Sequence, residues 1–165
     1  HWHAVFTASR AEKKVRDRLE ELGVECFLPV QTVLRQWTYR KSRVVVPVIA
    51  GLVFVRVGRQ EQVKVLQTKG VVAFLRLKGE AGAAVIPDKQ MEDFRFLLDF
   101  SEEAVEMTNE NIKAGDLVRV VKGSLRGMEG ELIRHKGVTK VLVRIDMLGC
   151  AMVNIPASFV EKLNK

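Results

Sequence analysis

The sequence predicts an α+β domain with an antiparallel sheet flanked by helices, followed by a small all-β barrel. Three observations carry that reading. Residues 1–100 alternate between segments of strand period and segments of helix period. The last 50 or so residues hold five short strand-like pieces separated by glycine turns, with no convincing amphipathic helix. Between them, residues 101–112 carry four glutamates and no base, a composition that suits a linker. The expected domains are therefore 1–100 and 113–165, with an acidic linker over 101–112.

In the first domain, Trp2 to Thr7 alternates as a strand, with Trp2, Ala4 and Phe6 on one face and His3 and Val5 on the other. Ser9 is placed to cap the next helix, with Glu12 as its capping-box partner. Ala11, Val15, Leu19 and Leu22 form that helix's buried stripe, and Gly23 stops it. A long extended region from Cys26 to Trp37 turns around Thr38 to Lys41 and returns through Val44, Val45 and Val46. It reads as a hairpin arm with a basic tip, since Arg35 to Arg59 holds six bases and no acid. LVFVRV at 52–57 is a strand, with Val53, Val55 and Val57 facing one way and Leu52, Phe54 and Arg56 the other. Glu61 to Thr68 predicts a short helix with Val63 and Leu66 inward. Val71 to Leu77 predicts a strand. Pro87 opens a last helix with Met91, Phe94 and Leu98 on one side.

The second domain is expected to place strands at Leu117–Val121, Glu131–His135, Lys140–Ile145, Ala151–Ile155 and Phe159–Leu163. Its most informative stretch is IKAGDLVRVVKGSLRGMEGE. A strand there runs into a basic loop punctuated by Gly123, Gly127 and Gly130, which reads as a structural turn with Lys122 and Arg126 beside the glycines.

Composition narrows the function classes. The net charge is +7, with 17 bases against 11 acids in residues 1–100 and ten against five in residues 113–165. Two basic blocks favour partners with phosphate backbones. No run approaches the length of a spanning helix, and the start shows no signal-peptide-like pattern, although a chain opening at His1 leaves room for upstream residues. Cys26 and Cys150 are far apart and read as buried thiols, which suits the cytoplasm. His1, His3 and His135 stand outside any ligand pattern, and there is neither HExxH nor CxxC. KGSLRGMEG matches no nucleotide-binding fingerprint, and no nucleophile has a base beside it. The chain reads as a binding protein without cofactor or metal, not an enzyme. A monomer is expected, because neither domain shows an obvious long apolar edge.

Three segments resemble one family. WHAVFTASRAEKKVRDRL matches its opening strand and helix at Trp2, Glu12, Lys13 and Val15. FLPV at 27–30 and VPVIAGLVFVRV at 46–57 match its proline-bearing strand and PGYVFV segment. KAGDLVRVVKGSLRGMEGEL at 113–132 matches the KOW signature. In this order the three resemble a NusG-family transcription elongation factor, an NGN domain joined to a KOW domain. Ala50 and Leu52 depart from the usual proline and tyrosine. ECFLPVQTVLRQW, VLRQWTYRKSRVVVP and VLQTKGVVAFLR look more like the specialised paralogues, which include RfaH and the UpxY-type antiterminators of capsular polysaccharide operons in Bacteroides.

The resemblance implies that the NGN domain binds the clamp helices of RNA polymerase and suppresses pausing or termination. The implied polymerase-contact residues are Phe6, Leu52, Phe54 and Phe74; on pattern alone, ordinary core is the commoner reading of all four. Arg10, Lys13 and Lys14, with Arg40, Lys41 and Arg43, are the candidates for DNA of the elongation complex, with Lys69, Arg76 and Lys78 as weaker ones. The KOW domain is expected to dock a small-subunit ribosomal protein or Rho, and to take the barrel form over the helical form seen in some relatives. The alternatives are a general NusG-type factor and a KOW-type RNA- or ribosome-binding structural protein.

Overall fold

A computed structural model describes residues 1–163, with the side chain of Trp37 outside the description. The chain divides into two compact units, His1–Asp88 and Lys89–Lys165, of which the final two residues lie outside the described range.

The first unit is built on a four-stranded antiparallel sheet in the order β2-β5-β1-β6, with β1 at Trp2–Thr7, β2 at Glu25–Phe27, β5 at Leu52–Arg56 and β6 at Val71–Phe74. Strand β6 ends at Phe74, short of the expected Leu77, and near its start pairing slips at Phe6/Thr7, so that Val72 drops out of register. Helices α1, Glu12–Glu21, and α2, Arg59–Leu66, supply the other layer. Val5, Val53, Val55, Val57 and Phe74 from the sheet meet Val15 and Leu19 of α1 and Val65 of α2 in one buried cluster. Burial of side chains of this size contributes about 1.5–3 kcal/mol each.

The helix ends correct two expectations. Ser9 does not cap α1: the chain turns at Ala8–Ala11, where the Ala11 N–H donates to Ala8 O at 3.1 Å, and Arg10 takes a left-handed φ of 59°. Ala11 becomes the cap position and has no side-chain acceptor. Glu12 turns inward and accepts the Gly51 N–H at 3.1 Å. At the other end, Gly23 donates to Glu20 O and Val24 to Leu19 O, the double bond that closes a helix in a left-handed cap. That turn leads the chain away at Leu22, which is therefore exposed instead of buried.

In α2 the inward residue is Val65, while Val63 and Leu66 are exposed. The helix starts at Arg59, with Gly58 as its cap, and Val63 and Leu66, three residues apart, share its wet face.

Cys26 packs against the cluster as a half-buried thiol. Burial is the main cause that pushes its pKa up to about 11, helped by the nearby Glu20 carboxylate. The thiolate is thus suppressed at neutral pH, and alkylation of native protein at pH 8, followed by mass spectrometry, is expected to leave Cys26 largely unmodified. Labelling at pH 8 as fast as in urea would contradict this. Because the folded pKa lies above the unfolded one, this group's contribution to stability is present below pH 9 and is lost as pH rises towards 11.

Between β2 and β5 the chain leaves the main sheet as a separate two-stranded ribbon, β3 (Val30–Trp37) with β4 (Arg40–Pro47). All eight residue pairs are in register, from Val30 opposite Pro47 to Trp37 opposite Arg40. The turn is only Thr38–Tyr39, two residues shorter than the Thr38–Lys41 turn expected, because Arg40 and Lys41 already pair.

The second unit contains most of α3, Asp88–Phe100, whose buried residues are Met91, Phe94 and Leu97. Leu97, one position before the expected Leu98, completes a three-residue spacing. Six strands follow in the order β12-β8-β9-β10-β11-β7: β7 Glu106–Thr108, β8 Asp116–Val120, β9 Glu129–His135, β10 Val138–Ile145, β11 Gly149–Asn154 and β12 Val160–Lys162. Among the described residues no pairing joins the end strands β12 and β7, so the strand pairings do not close the expected barrel. The acidic stretch also carries structure: β7 pairs with β11, Met107 opposite Ala151 and Thr108 opposite Cys150. A three-residue strand has too short a period to register in sequence. A 3-10 turn at Ala157–Phe159 precedes β12 and shortens the last predicted strand.

Candidate functional site

The sheet register decides which aromatic residues a partner can reach. Phe6 on β1 stands opposite Leu52 on β5 and Ala73 on β6, and Ala4 stands opposite Phe54, so Phe6, Leu52 and Phe54 share one face. Phe74 stands opposite Val5 and belongs to the other face, in the cluster with α1. The four aromatic and aliphatic residues expected at a polymerase contact therefore do not form one surface.

Exposure separates them further. Phe6 is 39% exposed, whereas Leu52, Phe54 and Phe74 are 1%, 0% and 5% exposed. Phe54 stacks on Phe27 with ring centroids 6.2 Å apart, and Phe74 meets the His3 ring edge-on at 5.8 Å. His3 is fixed in turn by a 2.8 Å hydrogen bond to Ala84 O. Three of the four are core in this structure, as their apolar alternation allowed, and they offer no area to a partner. Phe6 alone presents a ring.

Two groups of cations in the first unit are exposed. Arg10, Lys13 and Lys14 lie exposed at the head of α1, and Arg35, Arg40, Lys41 and Arg43 lie exposed along the ribbon. Among the described residues no carboxylate pairs with any of these seven. Lys13 Nζ reaches Val45 O at 3.4 Å, which brings the helix head to the stem of the ribbon. Register puts Lys41 and Arg43 on one ribbon face with Gln36 and Leu34, and Arg40 and Arg35 on the other with Ser42. The cations thus flank the tip on both sides. Sequence reading grouped Arg40, Lys41 and Arg43 but passed over Arg35 and the tip residue Tyr39, which is 97% exposed. An aromatic residue in an expected turn, followed at once by the bases Arg40 and Lys41, was the available signal.

In the second unit many cations are already neutralised. Arg119 bridges Glu129 and Glu161, Lys140 bridges Glu106 and Lys162 bridges Asp116. Arg144 grips Glu131 with Nε at 2.7 Å and one terminal nitrogen at 3.1 Å, and that nitrogen also donates to Ile112 O at 2.8 Å. The hydrogen bond to Glu131 raises the Arg144 pKa, against the cost of burial. The loop after β8 leaves Lys122 and Arg126 exposed while Leu125 and Met128 point inward. Its backbone closes on itself: the Gly127 N–H donates to Val120 O and the Val120 N–H to Met128 O, both at 2.8 Å. Gly127 has φ +95°, which a side chain would strain. At Gly130 a Cβ would come within 2.9 Å of Leu142 O. Gly123 also has a positive φ. Gly123 and Gly127 serve the turn, whereas Gly130, expected in the same turn, lies inside β9 opposite Val118 and serves the close strand pairing.

Among the described residues no group of three or more His, Cys, Asp or Glu could hold a metal, and no helix is long and apolar enough to cross a membrane. The arrangement offers binding surfaces: one exposed phenylalanine on the sheet, and a ribbon and helix head of unneutralised cations.

The sequence model of the family described as "Transcription termination factor nusG" matches residues 1–95. Among solved structures the chain is similar to one titled "Domain interaction in Thermotoga maritima NusG", at 23% identity and TM-score 0.51, over 99% of this chain and 97% of that one. That likeness shows a common fold. A structure titled "Crystal Structure of MjSpt4:Spt5 complex conformation B" aligns at 18% identity and TM-score 0.32, over 100% of this chain and 98% of that one. No curated protein matches.

Proposed function

The chain belongs to the NusG family, and on that premise we propose that it is a transcription elongation and antitermination factor, a regulator without catalysis that works by binding RNA polymerase. The family match over the first unit carries this reading. In it, Phe6 docks on the polymerase clamp helices. Leu52, Phe54 and Phe74 act indirectly, by holding β1, β5 and β6 in the register that presents Phe6. Arg10, Lys13, Lys14, Arg40, Lys41 and Arg43 meet DNA of the elongation complex, where each phosphate neutralised adds salt-sensitive affinity. Binding energy spent on the polymerase's closed state is the whole contribution to the reaction. The second unit, through Lys122, Arg126 and the loop they flank, would dock a protein such as a small-subunit ribosomal protein or Rho. A cytoplasmic monomer fits this work.

A narrower form of the role, restricted to polysaccharide biosynthesis operons, is favoured by two sequence observations: Ala50 and Leu52 replace the usual proline and tyrosine, and the ribbon sequence resembles the UpxY-type regulators. The comparisons support the general role.

The test is binding of the chain to core RNA polymerase from its host. Wild type is expected to bind, and Phe6→Ala to weaken binding by roughly 30-fold, the size of effect typical for an interfacial aromatic anchor, while remaining folded. No wild-type binding, or binding indifferent to Phe6→Ala and to Arg40→Gln/Lys41→Gln/Arg43→Gln together, would remove the proposal.

A further inference from the structure

We infer that Tyr39, at the tip of the β3–β4 ribbon, is a stacking platform for a base of single-stranded nucleic acid, with Arg35, Arg40, Lys41 and Arg43 holding the phosphates on either side. The inference deepens the nucleic-acid part of the proposed function and rests on that reading.

Four observations lead to it. The ribbon is a free-standing two-stranded sheet with eight-residue strands, about 26 Å long at ~3.3 Å per residue. Its turn is two residues, so Tyr39 stands at the extremity with its ring 97% exposed. A large aromatic left uncovered has both π-faces available, whereas a structural tyrosine would rest one face on the stem. Four cations lie within four residues of Tyr39, two on each ribbon face, and residues 30–47 contain no acid. Among the described residues none of the four is held by a carboxylate.

Those features favour an unpaired strand. Aromatic stacking combined with a cationic path for the backbone is the way proteins hold single strands without reading sequence. A strand crossing the tip would lay one base on the ring and place its 5′ and 3′ phosphates beside opposite faces of the ribbon, where the two pairs of cations lie. In a duplex the base faces are covered by their neighbours, and the ring could reach them only by unstacking a step, at a cost of a few kcal/mol. The distribution of charge over both faces also differs from that of a ribbon lying flat on a surface, which needs cations on one face only.

The experiment measures binding of the full chain, without polymerase, to a short fluorescently labelled DNA strand and to the duplex of the same sequence over a range of salt. Tyr39→Ala is expected to weaken single-strand binding about ten-fold and duplex binding by less than two-fold. Tyr39→Phe keeps the ring and is expected to behave as wild type. Because no charge is removed, the salt dependence of Tyr39→Ala should match wild type, whereas Arg40→Gln/Lys41→Gln should flatten it by roughly 1.4 in slope, at ~0.7 per phosphate on a single strand. Absence of wild-type single-strand binding would overturn the inference, as would equal loss of both ligands in Tyr39→Ala, or no loss. Unchanged single-strand affinity with weakened polymerase binding would overturn it too, and make the tip a protein contact. Tyr39-dependent strand binding in a chain that ignores polymerase would uphold the inference and defeat the proposed function instead.

Discussion

Phe54→Ala is expected to cost about 3–5 kcal/mol of stability, enough to unfold much of the first unit at 37 °C. The ring is completely buried, stacks on Phe27, and sits on β5, the strand that pairs with both β1 and β2. Removing it takes away the transfer free energy of the ring and leaves a void that neighbours held by two ladders of hydrogen bonds are poorly placed to fill. Phe6→Ala, five residues into the adjoining strand, should change stability by about 1 kcal/mol, since much of its ring is already in water. Urea unfolding followed by circular dichroism separates the two. Comparable destabilisation by both substitutions would mean that Phe6 is core as well, and would leave none of Phe6, Leu52, Phe54 and Phe74 free for polymerase.

Glu131→Ala is expected to cost about 2–4 kcal/mol, towards the lower side of what breaking a buried ion pair costs. The Glu131 side chain is only 14% exposed and that of Arg144 36%. Besides the two-pronged Arg144 contact, a Glu131 oxygen accepts the Gly115 N–H at 3.1 Å, while Arg144 holds Ile112 O. One pair therefore fastens the segment entering β8 to strands β9 and β10. Its loss strands a half-buried guanidinium and a backbone donor together, and the penalty of an unmade bond exceeds the gain of a made one. Hydrogen exchange at residues 112–118 should rise in Glu131→Ala and much less in Arg119→Ala, whose partners are exposed. Equal effects would show that the Glu131 network is no more than surface charge.

The parts of the fold legible in the sequence were those carried by period and punctuation. β1, β5, the β3–β4 hairpin, α1 and the five strands expected in the second unit all have an alternating or helical apolar pattern several residues long, and all are present. The failures are shorter-ranged. Ser9 looked like a cap because sequence shows a hydroxyl three residues before Glu12, but not that Arg10 would turn left-handed and send the Glu12 carboxylate to Gly51. Val65, not Val63, faces inward because the first helical residue sets the phase, and an eight-residue helix has too few turns to reveal it. β7 is three residues in an acidic run and exists only through its partner β11.

The candidate site divides along the same line. The exposed cations Arg40, Lys41 and Arg43 were legible because an acid-free run of bases rarely folds inward, and Arg10, Lys13 and Lys14 because they fall outside the apolar stripe of α1. Leu52, Phe54 and Phe74 were not, since alternation says which residues share a face but not whether that face is covered. Phe74 went to the opposite face altogether, by the irregular pairing at Phe6/Thr7. Tyr39 was missed because exposure of an aromatic residue depends on where the turn falls, and Arg40 pairing with Trp37 fixes it at two residues.

The ribbon has a further consequence, for how copies of the chain behave toward each other. A two-stranded sheet has two edges along which another strand can pair, and β3 and β4 add exposed Leu34 and Val45 on one face. Such an edge is a template for a strand from a second copy. Four like charges on it, with no acid to cancel them, make any such pairing repulsive. The same side chains that would attract a phosphate backbone therefore also keep the protein dispersed while it waits for one, so charge removed to test the first property is removed from the second as well.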